Sequence, residues 1–353
     1  MSLTEHNFAA TQPLRQAPDV ASPAALPASG LGARSRNAFH RPPLTLIGTL
    51  SRLTRANAAV AVTIPPLCGA VLAWWEGANF SPLAFGFTLL GALTMTLGMN
   101  ALYEHYDFTH ARQSASAPEL HPNPEPVMTG YGLMVNRIIS AELGLNLGYF
   151  MLVLSLLCTL WLTLLAGWPV LFFSGLSFIL AYAYATPPIY YGYRGWGLGE
   201  IGLFFAYGLL PVLNGYFTQS QTLTLLSLWV SMPLGLFSAL LFFNYNLIYE
   251  YRDWLMHKRT LVVNLGAARA LDVGAIAVVI IYTAILSIVS IAHLPLITLV
   301  TLATLPTALG GFSRLRTTQV TVEDRFLLYC TTVNAAAWTG LLFAAALFVD
   351  KWF

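Results

Sequence analysis

Long apolar runs recur along this chain, separated by short polar segments that carry most of its charge. Nine runs approach the roughly 20 residues that a helix needs to cross hydrocarbon. They cover about 57–75, 82–103, 138–165, 168–186, 200–218, 223–248, 270–292, 294–312 and 327–349. This pattern predicts an all-α polytopic membrane protein, with nine transmembrane helices around a central cavity. Pro65 and Pro66 fall midway along the first run and should kink or break it, because proline removes backbone donors. The last three runs have few polar positions and read as scaffold and lipid boundary.

Polar residues follow one pattern twice. Asn100-Ala-Leu-Tyr103-Glu104-His-Tyr-Asp107 and Asn246-Leu-Ile-Tyr249-Glu250-Tyr-Arg-Asp253 both read N-x-x-Y-E-x-x-D, each closing an apolar run. On a helix, positions i, i+4 and i+7 share a face, so each copy would present an amide and two carboxylates as one stripe. One such stripe is an ordinary solvated helix end. Two matched copies beside hydrocarbon, where carboxylates are costly, point to a site shared by two halves of the chain.

Composition and charge sharpen this picture. Residues are 57% hydrophobic and only 9% charged, against about a quarter charged in soluble domains. With the N-terminus cytoplasmic, sixteen of the seventeen Lys and Arg residues fall inside and only Lys351 falls outside. Adding or removing one span would spoil that distribution. It puts both motif copies at the cytoplasmic ends of spans 2 and 6, and the C-terminus outside, in a bacterial inner (cell) membrane. Topology thereby accounts for the positive residues, which leaves no basis for nucleic-acid binding. Cys68, Cys158 and Cys330 lie in separate apolar runs and read as core residues.

Residues 1–45 are rich in Ala, Pro and Ser and lack an apolar h-region, so they read as a disordered cytoplasmic tail rather than a secretory signal. Residues 46–353 form the membrane domain. The Pro-rich loop after the first motif, roughly 108–135, is long enough to be a functional cover, with Asn123–Gly130 its expected ordered part. Asn57, near the cytoplasmic end of span 1, is either a helix cap or a site residue. Glu142 and Asn146 read as a polar contact between helices. The turn Thr186–Glu200, dense in Pro, Gly and aromatics, puts Arg194 at the cytoplasmic surface.

Glu104, Asp107, Glu250 and Asp253, with Asn100 and Asn246 beside them, offer hard oxygen ligands of the kind that suit Mg2+ together with phosphates. Arg194, Lys258 and Arg259 lie on the same side and would neutralise a diphosphate. Asn57, Tyr103 and Tyr249 complete the candidate substrate contacts. Metal-held diphosphate is a good leaving group, because charge developing on its oxygens is stabilised. No P-loop, G-x-S-x-G, H-E-x-x-H or dinucleotide fingerprint occurs.

The chain resembles the UbiA superfamily of intramembrane prenyltransferases over about residues 52–349. The resemblance rests on the two acidic motifs, on Tyr193-Arg194-Gly195 through Gly199-Glu200, and on Lys258-Arg259-Thr260-Leu261 through Leu265-Gly266. The last two segments are similar to those of the 1,4-dihydroxy-2-naphthoate prenyltransferase branch. The resemblance implies nine helices and Mg2+-held prenyl diphosphate at the acidic motifs. It also implies transfer of a polyprenyl chain to an aromatic acceptor that leads to menaquinone. Where relatives read N-D-x-x-D, this chain has Asn100-Ala101-x-x-Glu104. In the second motif either Tyr249 or, with a one-residue gap, Glu250 stands for the first acid. The lipid bilayer is the expected surrounding, and oligomeric state is left open. Two rival readings are a non-catalytic relative that binds or carries a quinone or other prenyl lipid, and an enzyme using a tetrapyrrole, haem or lipid-headgroup acceptor.

Overall fold

A computed structural model describes residues 45–113, 129–315 and 320–352. The expected N-terminal tail lies outside the described residues, apart from Thr45. So do residues 114–128 of the expected cover loop, including all of its expected ordered part except Thr129 and Gly130; residues 108–113 continue the preceding helix. The described residues are helical, with no strand among them. In chain order the helices are α1 (Leu46–Leu53), α2 (Ala56–Val62), α3 (Ile64–Trp75), α4 (Pro82–Gln113) and α5 (Gly130–Val135). Next come α6 (Ala141–Ala166), α7 (Pro169–Ala185), α8 (Leu198–Phe204), α9 (Leu210–Ser220) and α10 (Leu225–Ile248). The chain continues with α11 (Glu250–Leu255), α12 (Leu261–Leu265), α13 (Ala267–Ile291), α14 (Leu305–Leu315) and α15 (Val322–Trp352).

Among the described residues, eight stretches are long and apolar enough to cross a membrane: Ala56–Trp75, α4, α6, Leu198–Ser220, α10, α13, Leu296–Leu315 and α15. The run expected at 168–186 appears as α7, a shorter apolar helix of 17 residues. Its first turn packs Val170 with Ala84 and Leu162, and at its other end the Ala181 carbonyl accepts a hydrogen bond from Tyr103. The proline pair acts as its sequence position predicts. One helix stops at Val62 and the next begins at Ile64, with Thr63 between them and proline in the second helix's first turn, where a missing N–H costs nothing.

Close approach at small residues joins the helices, as expected where lipid supplies no hydrophobic drive between them. A Cβ on Gly69 would stand 2.0 Å from the Val212 carbonyl oxygen, and one on Gly215 would stand 2.1 Å from that of Pro66. Only glycine allows α3 and α9 to lie this near. The eighth expected span is not a plain α-helix. Leu296–Thr304 is a 3₁₀ segment, in which residues three apart eclipse. Thr298, Thr301 and Thr304 therefore form one buried row, and Thr304 bonds Tyr282 and Thr339.

The two ends of the bundle differ in chemistry. At one end the Trp75 indole donates to Asp350 at 2.9 Å and Lys351 donates to the Trp75 carbonyl at 2.9 Å. At the other, buried acids and bases cluster around the two motifs.

Candidate functional site

The motif copies fold differently. Copy one lies inside α4, which continues to Gln113 instead of ending near residue 103, and Asn100, Glu104 and Asp107 are all buried. They form the single stripe that their spacing predicts. Copy two is interrupted: α10 ends at Ile248, Tyr249 leaves helical geometry at φ −109° and ψ 20°, and α11 starts at Glu250. The break turns Glu250 and Asp253 toward different neighbours, so the second stripe does not form.

Asp107 and Asp253 meet. The Lys258 ammonium stands 2.5 Å from Asp107 Oδ1 and 3.5 Å from Asp253 Oδ1. Arg252 Nη2 stands 3.5 Å from Asp107 Oδ2 and 3.3 Å from Asp253 Oδ1. The Tyr193 hydroxyl also donates to Asp107. The Arg252 guanidinium lies between two rings, 3.9 Å from the centroid of Tyr249 and 4.2 Å from that of Tyr131. Burial tends to lower the Arg252 pKa, but Asp253 and Asp107 outweigh burial and hold it well above the ordinary value. Burial, then Asp107, raises the Tyr193 pKa well above its ordinary value, so its hydroxyl stays a donor.

Glu104 occupies an adjoining chamber. It is wholly buried, and its Oε1 accepts from Arg55 Nε at 2.6 Å and from the Tyr245 hydroxyl at 2.9 Å. Its Oε2 accepts from the Tyr131 backbone N–H at 2.5 Å. Arg55 is itself in the left-handed region at φ 50° and stacks 3.6 Å above the Tyr245 ring. Asn100 explains that turn. Its amide donates to the Thr54 carbonyl at 2.9 Å, fixing the segment that delivers Arg55. Tyr245 contacts Tyr249, which bonds Thr129 at 3.0 Å and stacks on Arg252, so both motifs belong to one continuous network.

Glu250 stands outside it. Its Oε1 accepts from the Ala267 N–H at 2.9 Å, where α13 begins, and its Oε2 from Arg325 at 3.1 Å. Asn246 donates to the Tyr184 hydroxyl at 3.3 Å, and the Tyr103 hydroxyl donates to the Ala181 carbonyl. Among the candidate cations Lys258 is buried, whereas Arg194 and Arg259 are exposed, as is Asn57. The two resemblance segments do meet: the Arg259 N–H donates to the Tyr193 carbonyl at 2.9 Å. Gly195, at φ +82°, makes the fit possible, since a Cβ there would come within 2.9 Å of the Arg259 carbonyl.

The sequence accounts for Arg55, Arg252 and Arg325 by topology, carries Tyr193 only within a resemblance segment, and singles out neither Tyr131 nor Tyr245. A usable signal existed for two of them. Arg252 sits inside the second motif, and Tyr245 stands four residues before Tyr249, on the same helical face.

A model of the UbiA prenyltransferase family matches residues 62–331. The chain belongs to this family. A 2-carboxy-1,4-naphthoquinone phytyltransferase of Synechocystis is 30% identical over 115 residues, covering 33% of this chain and 37% of the relative. A 1,4-dihydroxy-2-naphthoate octaprenyltransferase of Escherichia coli is 28% identical over 208 residues, covering 58% of this chain and 64% of the relative. The chain thus matches less than two thirds of the length of either. A UbiA homolog from Archaeoglobus fulgidus, solved bound to GPP and Mg2+, superposes with TM-score 0.55 at 14% identity, covering 84% of this chain and 99% of that one. An apo UbiA homolog from Aeropyrum pernix superposes with TM-score 0.57 at 14% identity, covering 83% of this chain and 97% of that one. These likenesses establish the UbiA fold of an integral membrane protein.

The family's metal tests poorly against the donors present. Magnesium needs oxygen lone pairs at about 2.0–2.1 Å in near-ideal octahedral geometry. Here both oxygens of Glu104, Asp107 and Glu250, and Oδ1 of Asp253, already accept from protein donors. Among the described residues no three His, Cys, Asp or Glu side chains gather to hold a metal ion. In this arrangement the donor set does not fit magnesium.

Proposed function

We propose that this UbiA-family protein transfers a polyprenyl group from its diphosphate to an aromatic acceptor of the dihydroxynaphthoate type. The names of the two curated relatives support the acceptor class. The observation that carries the reaction type is the meeting of both family motifs around Lys258 and Arg252 at one end of the bundle. Those cations would take up charge as the allylic C–O bond breaks and its electron pair stays on the diphosphate oxygen. A ring carbon of the acceptor then attacks the allylic cation and loses its proton. Burial excludes water that would otherwise quench the cation.

A half-open apolar cavity of about 360 Å³ is lined by residues that include Thr88, Met95, Leu152 and Asn214 and by the exposed side chains of Leu156 and Phe178. Met95 precedes Glu104 by nine residues on α4, about 14 Å along the axis. That separation suits a ligand with its charged head at the motifs and its apolar tail in the cavity.

We also propose nine crossings with the N-terminus cytoplasmic. The contacts of α7 support this, since they run from the level of Ala84 to that of Tyr103. At about 25 Å the helix is slightly short for hydrocarbon, and Trp168 and Tyr190 at its two ends suit interfacial anchoring.

One observation favours a second reading, a non-catalytic binder of a quinone or other prenyl lipid: every motif acid is already paired with a protein cation. Purified protein in nanodiscs, given labelled prenyl diphosphates and 1,4-dihydroxy-2-naphthoate with and without Mg2+, separates the two. A labelled prenylated product is the expected result. Absence of product across chain lengths and acceptors, with prenyl-lipid binding retained, would establish the second reading.

A further inference from the structure

Among the described residues, each motif acid is matched by a basic side chain. Glu104, Asp107, Glu250 and Asp253 face Arg55, Arg252, Lys258 and Arg325 in ion pairs of 2.5–3.5 Å. Two positions where the family motif carries acid hold none here: Ala101 in the first copy and, in the ungapped register, Tyr249 in the second. The structure supports that register, because Tyr249 lies in the network and Glu250 does not. Tyr249 gives the network an aromatic face for a guanidinium in place of a ligand for a metal.

We propose that Arg252, clamped between Tyr131 and Tyr249 and set against Asp107 and Asp253, stands in for the divalent metal, so that the site binds a diphosphate group without one. The ligand class rests on the proposed function. The substitution rests on three features of this chain.

First, the charge presented is equivalent. Arg252 and Lys258 against two carboxylates leave the same net charge as one divalent ion against two. Second, Arg252 has donors to offer. It is only 6% exposed, yet Nε and Nη1 have no hydrogen-bond partner among the described residues. Unpaired buried donors are unfavourable, and phosphate oxygens would satisfy them in the planar geometry a guanidinium prefers. Third, the acids are committed. A magnesium ion entering here would have to displace Lys258 or Arg252 from Asp107 to gain any ligand beyond Asp253 Oδ2.

The test uses the full chain in nanodiscs with inorganic pyrophosphate as the probe, its binding measured calorimetrically in EDTA and again in Mg2+. The expected dissociation constants agree within about threefold, and Arg252→Gln weakens the EDTA value by about tenfold or more. Arg252→Lys keeps the charge but loses the planar fork, so it recovers binding only in part. Manganese EPR on the wild type reads metal occupancy directly and needs no variant to fold; no bound Mn2+ is expected. Loss of pyrophosphate binding in EDTA would overturn the proposal, as would stoichiometric Mn2+ binding abolished by Asp107→Asn.

Turnover separates the two readings. Metal-free pyrophosphate binding with no prenyl transfer would defeat the proposed function and leave this inference standing. Transfer and binding that both require Mg2+ would do the reverse.

Discussion

Replacing Arg55 with Gln removes the positive partner of the most deeply buried acid among the described residues. Glu104 is 0% exposed and Arg55 is 7% exposed, so water cannot take over from the lost pair. Breaking a buried pair by deleting one member costs about 3–5 kcal/mol, because the other charge stays buried and uncompensated. Two contacts soften this at Glu104, the Tyr245 hydroxyl and the Tyr131 N–H. Loss of the guanidinium over the Tyr245 ring adds back about 0.5–2 kcal/mol. We therefore expect Arg55→Gln to destabilise by about 3 kcal/mol. Glu104→Gln strands Arg55 instead and should also cost about 3 kcal/mol. The double variant restores neutrality, so its loss should fall short of the sum by about 2 kcal/mol, a coupling measured by equilibrium unfolding in mixed micelles. Losses that add to within about 0.5 kcal/mol would mean that Arg55 and Glu104 do not form the pair described.

Three further outcomes are expected. Lys258→Ala should weaken pyrophosphate binding by about tenfold or more, whereas Arg194→Ala and Arg259→Ala, at exposed positions, should change it by less than about twofold in calorimetry. A cysteine introduced beside Lys351 should react with a membrane-impermeant maleimide from outside intact cells, and one in residues 1–45 should react only after lysis. Gly69→Leu should prevent α3 from seating on α9, read as loss of monodisperse protein in detergent, since even a Cβ would stand 2.0 Å from the Val212 oxygen.

Apolar runs and proline made the membrane class, the sites of eight spans and the break just before Pro65 legible, since each depends on local composition and backbone chemistry. The Thr298, Thr301 and Thr304 row was visible as a three-residue period, but a 3₁₀ segment of that length is uncommon and apolar content alone does not distinguish it from an α-helix. Of the candidate site residues legible in the sequence, Asp107, Asp253 and Lys258 are brought together at one end of the bundle. Pairing was less legible. The positive-inside rule explains Arg55 and Arg252 as well as a buried role does, so charge counting could not separate topology from chemistry. Tyr131 follows a loop after α4, and its N–H reaches Glu104 only through tertiary folding.

The second motif is where pattern and structure part, and the cause is one residue. A continuous helix through Asn246, Glu250 and Asp253 would aim all three at copy one. Tyr249 breaks it, and Glu250 instead ties the N-terminus of α13 to Arg325 on α15. A carboxylate at a helix N-terminus is favoured by the helix dipole, and Arg325 also donates to the Leu247 carbonyl at 2.9 Å, so these contacts tie α10, α11, α13 and α15 together. The sequence pattern gives Glu250 and Asp253 equal claim to ligand contact; the geometry divides them. Glu250→Gln should lower stability by about 1–3 kcal/mol while pyrophosphate binds within about twofold of wild type. Asp253→Asn should instead disturb binding, because it frees Arg252 and Lys258 from one of their two shared carboxylates. Equal changes in pyrophosphate affinity from both variants would show that Glu250 does reach the ligand, and would return the second motif to the continuous stripe that its spacing describes.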